Sequence, residues 1–260
     1  MKTKTYRSVF VASIFFSALI APICFMSPVN ATAQVNILTH SGWIDLVGHY
    51  HISGEVENVG DSAASFVKIA ATLYDSGDIV VVTSFTYTTL DILLPGRKSP
   101  FEALLINTGQ AAKVDHYSLA VAFSTTSPIP IGLEIPSSSS YVDVVNYMHV
   151  VGEIENIESE TATFVQVAAT FYNATGNVVA TSFAYSDPRD IGVGQKAPFE
   201  VLLTYTNRVS LVDSYTLTAE SNQYAIVPEF PTWTSIALVF TILASAMVIY
   251  KWKLFKTPIH

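Results

Sequence analysis

Residues 51–75, HISGEVENVGDSAASFVKIAATLYD, occur a second time as residues 149–173, HVVGEIENIESETATFVQVAATFYN. The two stretches are 98 residues apart, and the same offset relates the Pro-Phe-Glu triplet at 100–102 to the one at 198–200. One module is therefore written twice. A period of this length exceeds that of solenoid units, which need their neighbours to fold, so we expect each copy to have its own core.

Each copy has the residue pattern of β-strands. In residues 51–57 polar side chains occupy the odd positions, so a strand there would turn them to solvent and the alternate positions to a core. The same alternation predicts core faces made of Val67, Ile69, Ala71 and Leu73, and of Val165, Val167, Ala169 and Phe171. No helix-length amphipathic pattern lies between residues 34 and 224. We predict an all-β fold of two tandem Ig-like antiparallel β-sandwiches.

The N-terminal residues 1–33 are typical of a secretory signal peptide. Basic residues precede an apolar run over residues 9–26, and Ala31-Thr32-Ala33 offers a cleavage site. An uncleaved membrane anchor is the alternative, because the run has 18 residues. The single cysteine, Cys24, lies inside this segment, so the mature exterior is expected to contain no disulfide.

The C-terminal residues have the layout of a membrane anchor. A stalk at 225–232 is followed by the uncharged run 233–250, which is long enough for one transmembrane helix, and by a tail at 251–260 that contains three lysines. The positive-inside rule places this tail in the cytoplasm and the repeats outside the cell. A buried soluble helix is the alternative for 233–250.

Repeat 1 is assigned to residues 34–126 and repeat 2 to residues 133–224, with a Pro-rich linker at 127–132 between them. The composition of the linker favours an extended and stiff connector, so we expect a rod of two separate domains.

Charge excludes one class of partner. All 21 acidic residues lie between Asp45 and Glu229, whereas six of the 13 basic residues are terminal. The repeats are therefore strongly acidic, and a nucleic acid is not expected to bind them. Divalent cations, basic partners or a solvated surface are compatible with this charge.

The strongest metal-ligand pattern is that of His49, His51, Glu55 and Glu57, which would share one face of a strand. Two steps along a strand span about 6.6 Å, so one ion would not reach all four side chains. His49 is also replaced by Tyr147 in repeat 2. We predict no metal site and no cofactor, and interpret the pattern as an outward polar face.

No catalytic site is predicted either. Asp115, His116 and Ser118 are close in sequence, but adjacent strand residues point to opposite faces and cannot form a triad. Gly-x-Ser-x-Gly elbows and phosphate-binding loops are missing from the sequence. We therefore predict that the protein is not an enzyme.

Asn173 begins the Asn-Ala-Thr sequon of the predicted exterior, at a predicted hairpin tip, and is a candidate N-glycosylation site. Four further aromatics alternate away from the predicted core and form either a binding patch or a layer packed under loops: Phe66, Tyr74, Phe164 and Tyr172.

The repeats resemble the FxLYD family of extracytoplasmic Ig-like modules. The residues that carry the resemblance in repeat 1 are Gly-Glu-Val-Glu-Asn at 54–58, Ala-Thr-Leu-Tyr-Asp at 71–75 and Pro-Gly at 95–96. Alanine stands where the family name has its first Phe. The resemblance implies a β-sandwich at the cell surface and no activity.

The segment Pro228-Glu229-Phe230, followed by an apolar run and lysines, is similar to the PEF-type sorting signals of archaeal surface proteins. The resemblance implies processing by an archaeosortase-like membrane protease near this motif. A plain membrane anchor with a proline-bounded stalk is the alternative.

Together these features predict a single-pass cell-membrane protein whose two non-catalytic repeats contact proteins or glycans of the cell envelope. The alternative is an accessory extracytoplasmic subunit of a membrane complex such as a transporter.

Overall fold

The computed structural model of the protein describes residues 32–226. The strands of repeat 1 are β1 (Val35–Ile44), β2 (Tyr50–Asn58), β3 (Ala64–Tyr74), β4 (Val80–Tyr87), β5 (Ile92–Leu93), β6 (Lys98–Leu105) and β7 (His116–Thr125). Those of repeat 2 extend beyond the predicted bounds 133–224 at both ends, into the predicted linker and stalk. They are β8 (Ile131–Val142), β9 (Met148–Asn156), β10 (Gln166–Tyr172), β11 (Val178–Tyr185), β12 (Lys196–Leu203), β13 (Ser214–Glu220) and β14 (Ala225–Ile226).

The all-β prediction is confirmed for this part of the chain. The helices there are two short ones that the sequence did not predict, α1 (Thr108–Ala111) after β6 and α2 (Thr206–Val209) after β12. Within residues 32–226 no helix has the length and apolar character needed to cross a membrane. The predicted transmembrane helix, the PEF motif, the tail and nearly all of the predicted signal peptide lie outside the described residues.

The two repeats share the pairing of their main strands. In repeat 1, β1, β2 and β6 form one antiparallel sheet, while β4, β5 and β7 pair with β3 in another. In repeat 2 the equivalent sheets, β8-β9-β12 and β11-β10-β13, are joined because β14 pairs with both β13 and β8.

Each repeat has its own hydrophobic core between its strands. The eight residues that the alternation predicts to face inward are at most 2% exposed, so both predicted core faces are confirmed. Burial of such side chains contributes about 1.5–3 kcal/mol each for the larger ones.

The repeated Gly-Glu-x-Glu-Asn motif has a structural explanation. A Cβ at Gly54 would lie 2.4 Å from the ring of Phe101, so only glycine lets that ring reach the strand. The buried amide of Asn58 donates to the carbonyl oxygens of Ser62 and Leu93, which ties two loops together. Asn156 makes the equivalent bonds in repeat 2.

The two repeats do not form a rod of separate domains. They belong to one compact unit that begins at Ala33, and β11 of repeat 2 packs against β1, β2 and β6 of repeat 1. The predicted solvent-facing side of β2 is consequently buried: His51 is 1%, Ser53 0% and Glu55 3% exposed. The alternation correctly predicts a strand here, but the prediction that its polar face is exposed to solvent is wrong, because the second repeat covers that face.

Candidate functional site

A buried ion pair joins the two repeats at one end of their interface. Arg97 Nη1 lies 2.7 Å from Glu220 Oε2, and Nη2 donates to the carbonyl of Ala219. The Glu220 carboxylate also accepts hydrogen bonds from the backbone N–H groups of Asp91 and Ile92. Burial raises the pKa of Glu220 and lowers that of Arg97, so each charge depends on the other.

Polar bonds continue the interface along β11 and the end of β10. The Tyr172 hydroxyl donates to Glu55 Oε1 at 2.6 Å, and burial together with this carboxylate raises the pKa of Tyr172. Two more bonds cross from repeat 2, one from the Thr181 hydroxyl to the Phe101 carbonyl and one from the Val178 N–H to the Thr39 hydroxyl. β11 of repeat 2 is the equivalent of β4 in repeat 1, whereas β2, which it faces, is the equivalent of β9. The contact therefore pairs one side of the module with a different side of its copy.

The β4 side of repeat 1 and the β9 side of repeat 2 are therefore not covered by the other repeat. We call the uncovered copy in repeat 1, Tyr74 and residues 80–83, the open β4 face. Val80 is 53% exposed, whereas Val178, its equivalent in repeat 2, is 0% exposed.

The uncovered copy in repeat 2 consists of His149, Val151, Glu153 and Pro198, and we call it the open β9 face. Glu153 and Pro198 are exposed, whereas the equivalent residues of repeat 1, Glu55 and Pro100, are buried. Each module thus carries two contact sides, and each is used once inside the chain.

A second feature is a histidine held between two carboxylates at the edge of the same interface. His51 Nδ1 lies 2.8 Å from Glu102 Oε1, and its Nε2 lies 3.2 Å from Asp45 Oδ2. The turn between β1 and β2 positions Asp45, whose Oδ1 accepts the backbone N–H groups of Val47 and His49. The imidazole is therefore fixed from both sides.

The same cluster occurs in repeat 2. His149 Nδ1 lies 2.6 Å from Glu200 Oε1, and its Nε2 lies 3.2 Å from Asp143 Oδ2. Tyr141 stacks on His149 with the ring centroids 4.6 Å apart. In repeat 1 Trp43 takes this role over His51, with centroids 4.1 Å apart.

Each cluster favours a charged imidazole. Burial lowers the pKa of His51, but the bonds to Glu102 and Asp45 outweigh it and raise the pKa above its usual value. The pKa of His149 is raised by Glu200 and Asp143. Burial opposes ionisation of Asp45, yet its hydrogen bonds to His49 and His51 and to the Val47 N–H hold its pKa at about 2.

The clusters differ in one ligand. In repeat 1 His49 Nδ1 also lies 3.2 Å from Asp45 Oδ2, and the potential ligand atoms of Asp45, His49 and His51 are all within 4.8 Å of one another. In repeat 2 the equivalent of His49 is Tyr147. Of the four strand residues weighed in the sequence, the structure unites His49 and His51, while Glu55 contacts Tyr172 and Lys98 instead.

Sequence reasoning missed Asp45. The signal for it was present, because Asp45 recurs as Asp143 at the same 98-residue offset that relates His51 to His149. Asp45 lies in the turn between β1 and β2, so strand alternation does not identify it.

The other candidate residues are placed as follows. Asn173 lies in the turn between β10 and β11, and its side-chain oxygen accepts the hydroxyl and N–H of Thr175. His116 contacts Asp115 and Asp78, whereas the Ser118 hydroxyl meets Tyr74. Pro228, Glu229 and Phe230 lie outside the described residues.

Comparison with known proteins adds little. No model of a protein family matches the chain, and no curated protein matches it in sequence. Among solved structures, a red sea bream transglutaminase is similar over 76% of this chain and 31% of its own, at 7% identity and a TM-score of 0.24.

Proposed function

We propose that the protein is an exported, membrane-tethered component of the cell envelope whose repeats are Ig-like sandwich domains that make non-catalytic protein contacts. The interface between the repeats is the observation that carries the proposal. It pairs one side of the module with a different side of its copy, which supports a role for the module in protein contacts. The predicted signal peptide and C-terminal anchor supply the location.

The partner that fits best is a second copy of the chain. The open β4 face of one molecule has the residues to pack on the open β9 face of the next, in the way that repeat 2 packs on repeat 1. Such a heterologous contact leaves one free face at each end and therefore propagates into a ring or a filament.

Sequence equivalence supports this partner. Tyr74 and Glu153 stand at the positions of the Tyr172–Glu55 bond, and Thr83 stands at the position of Thr181. Val151 replaces the buried Ser53, which makes the open β9 face more apolar than its covered counterpart.

The contact between molecules should be weaker than the internal one. Gln195 and Ala122 stand where Arg97 and Glu220 form the buried ion pair. Assembly then depends on the high local concentration that a shared membrane provides.

The test is site-specific crosslinking of full chains in native membranes, in a Cys24→Ser background. Chains carrying Tyr74→Cys and differently tagged chains carrying Glu153→Cys are mixed and treated with a short bismaleimide. We expect mixed dimers to form well above dimers of either variant with itself. A chain carrying both Tyr172→Cys and Glu55→Cys is the matched control, which should crosslink internally without a gain in mass.

Two results would overturn the proposal in different ways. Equal yields of mixed and like-with-like dimers would mean that the open faces do not pair as described. Reproducible crosslinks from both faces to one integral membrane complex would favour the accessory-subunit alternative.

A further inference from the structure

The turn between β1 and β2 brings a third ligand to the two histidines of repeat 1. Asp45 Oδ2 lies 3.2 Å from His49 Nδ1 and 3.2 Å from His51 Nε2. Ligands that all come from one strand would be too far apart to share one ion. With Asp45 supplied by the turn, three ligand atoms converge without Glu55 or Glu57.

We propose that Asp45, His49 and His51 bind one divalent transition-metal ion of the zinc class. Two imidazole nitrogens and one carboxylate oxygen are a ligand set that zinc prefers. Calcium does not prefer it, because calcium takes six to eight oxygen ligands.

Two of the three separations between the ligand atoms agree with this ion, and the third, between the two histidines, is within 4.8 Å. Metal–ligand bonds of about 2.0–2.1 Å in a tetrahedron separate neighbouring ligand atoms by about 3.3 Å. The two separations from Asp45 Oδ2 are both 3.2 Å. His49, whose side chain is 32% exposed, has the freedom to complete the set.

The groups behind the ligands are also those of a metal site. Glu102 Oε1 lies 2.8 Å from His51 Nδ1 and accepts that N–H, so Nε2 would bind the ion after losing its proton, which Asp45 Oδ2 otherwise accepts at 3.2 Å. A carboxylate that orients a ligand histidine in this way is the usual partner at zinc sites. The Asp45 carboxylate is oriented by the two backbone N–H groups that bind its other oxygen.

A cleft between the repeats lies beside the ligand Asp45. This cleft has a volume of about 120 Å³ and is lined by Asp45–Val47 of repeat 1 and by residues 204–207 of repeat 2. Tyr205 packs edge-on against both Trp43 and His51, which restricts access from that side. Water or a donor group from a binding partner would occupy the fourth position.

Repeat 2 provides an internal comparison. It retains the equivalents of Asp45, His51 and Glu102 but has Tyr147 in place of His49. Only repeat 1 therefore has three ligands, and the expected stoichiometry is one ion per chain.

The test uses the untagged full chain, stripped with a chelator and dialysed against zinc, with bound metal measured by mass spectrometry. We expect one tightly bound zinc per chain, no competition by calcium, and a cobalt derivative with the visible absorption of tetrahedral coordination. His49→Tyr copies the residue of repeat 2 and should weaken zinc binding by at least about 100-fold. Glu102→Gln, which removes a positioning residue, should weaken it by about 10–100-fold.

His116→Ser is the matched control. It also copies repeat 2 and also removes a histidine that lies near two carboxylates, Asp78 and Asp115. This variant should keep the full zinc content. Failure of the wild-type chain to bind zinc stoichiometrically, or equal loss in the His49 and His116 variants, would overturn the proposal. The open β4 and β9 faces contain none of the three ligands. The crosslinking of Tyr74 to Glu153 therefore tests the proposed function independently of the metal site.

Discussion

Removing one partner of the Arg97–Glu220 pair should destabilise the protein more than removing both. In Glu220→Ala the guanidinium of Arg97, whose side chain is 8% exposed, would remain buried without its counter-charge. The carboxylate also accepts two backbone N–H groups, which would lose their partner. Breaking a buried pair in this way costs about 3–5 kcal/mol.

The double variant Arg97→Gln, Glu220→Ala places at both positions the residues that stand at the equivalent positions of the two repeats, Gln195 and Ala122. It removes the unpaired charge, so we expect it to be more stable than Glu220→Ala by about 1–3 kcal/mol. The assay is equilibrium urea unfolding of the four members of this double-mutant cycle. The single variant should also separate unfolding into two transitions, because each repeat has its own core.

The result that would refute this reasoning is additivity. If Glu220→Ala costs less than about 0.5 kcal/mol, or if the double variant loses the sum of the single losses, the pair does not couple the repeats. The interface would then be maintained by its other contacts, such as those of β11 and of Tyr172.

Three further predictions concern single positions. Val178→Ala should cost about 2 kcal/mol in urea unfolding, whereas Val80→Ala, at the equivalent exposed position, should stay within about 0.5 kcal/mol; equal losses would contradict the covered-face assignment. The raised pKa of His149 means that its contribution to stability is full below pH 6.5 and is lost as pH rises through the folded-state value. His149→Gln should therefore flatten the dependence of Tm on pH between 5 and 8, and an unchanged profile would argue against the cluster. Phe66 is 75% exposed with φ of 49°, so Phe66→Asn should stabilise the protein by about 1 kcal/mol, and a loss of stability would show that its ring packs.

The core of each repeat was predictable because it depends on local alternation. Val67 to Leu73 and Val165 to Phe171 differ in sequence but keep the same period of two, and every inward position is buried. The alternation indicates which side chains of a strand point into the core of their own repeat. It carries no information about a second layer, which is why the burial of His51 and Glu55 under repeat 2 was not foreseen.

The candidate metal site was half predictable for a related reason. His49 and His51 were identified from their spacing, but the ligand that completes them comes from a turn. Turn residues have no periodicity, and Asp45 reaches the site because backbone N–H groups of residues 47 and 49 hold its carboxylate. Comparison of the two repeats position by position would have found it.

Glu55 is buried beneath Tyr172, whereas its equivalent Glu153 is exposed, so the two copies of the module are under different structural constraints. Where the copies meet, a substitution in one repeat changes a contact with the other repeat of the same chain, as in the ion pair of Arg97 and Glu220. The equivalent positions on the uncovered copies, Gln195 and Ala122, are exposed to the surroundings of the molecule. The two copies of each surface therefore have different surroundings, one inside the molecule and one at its exterior.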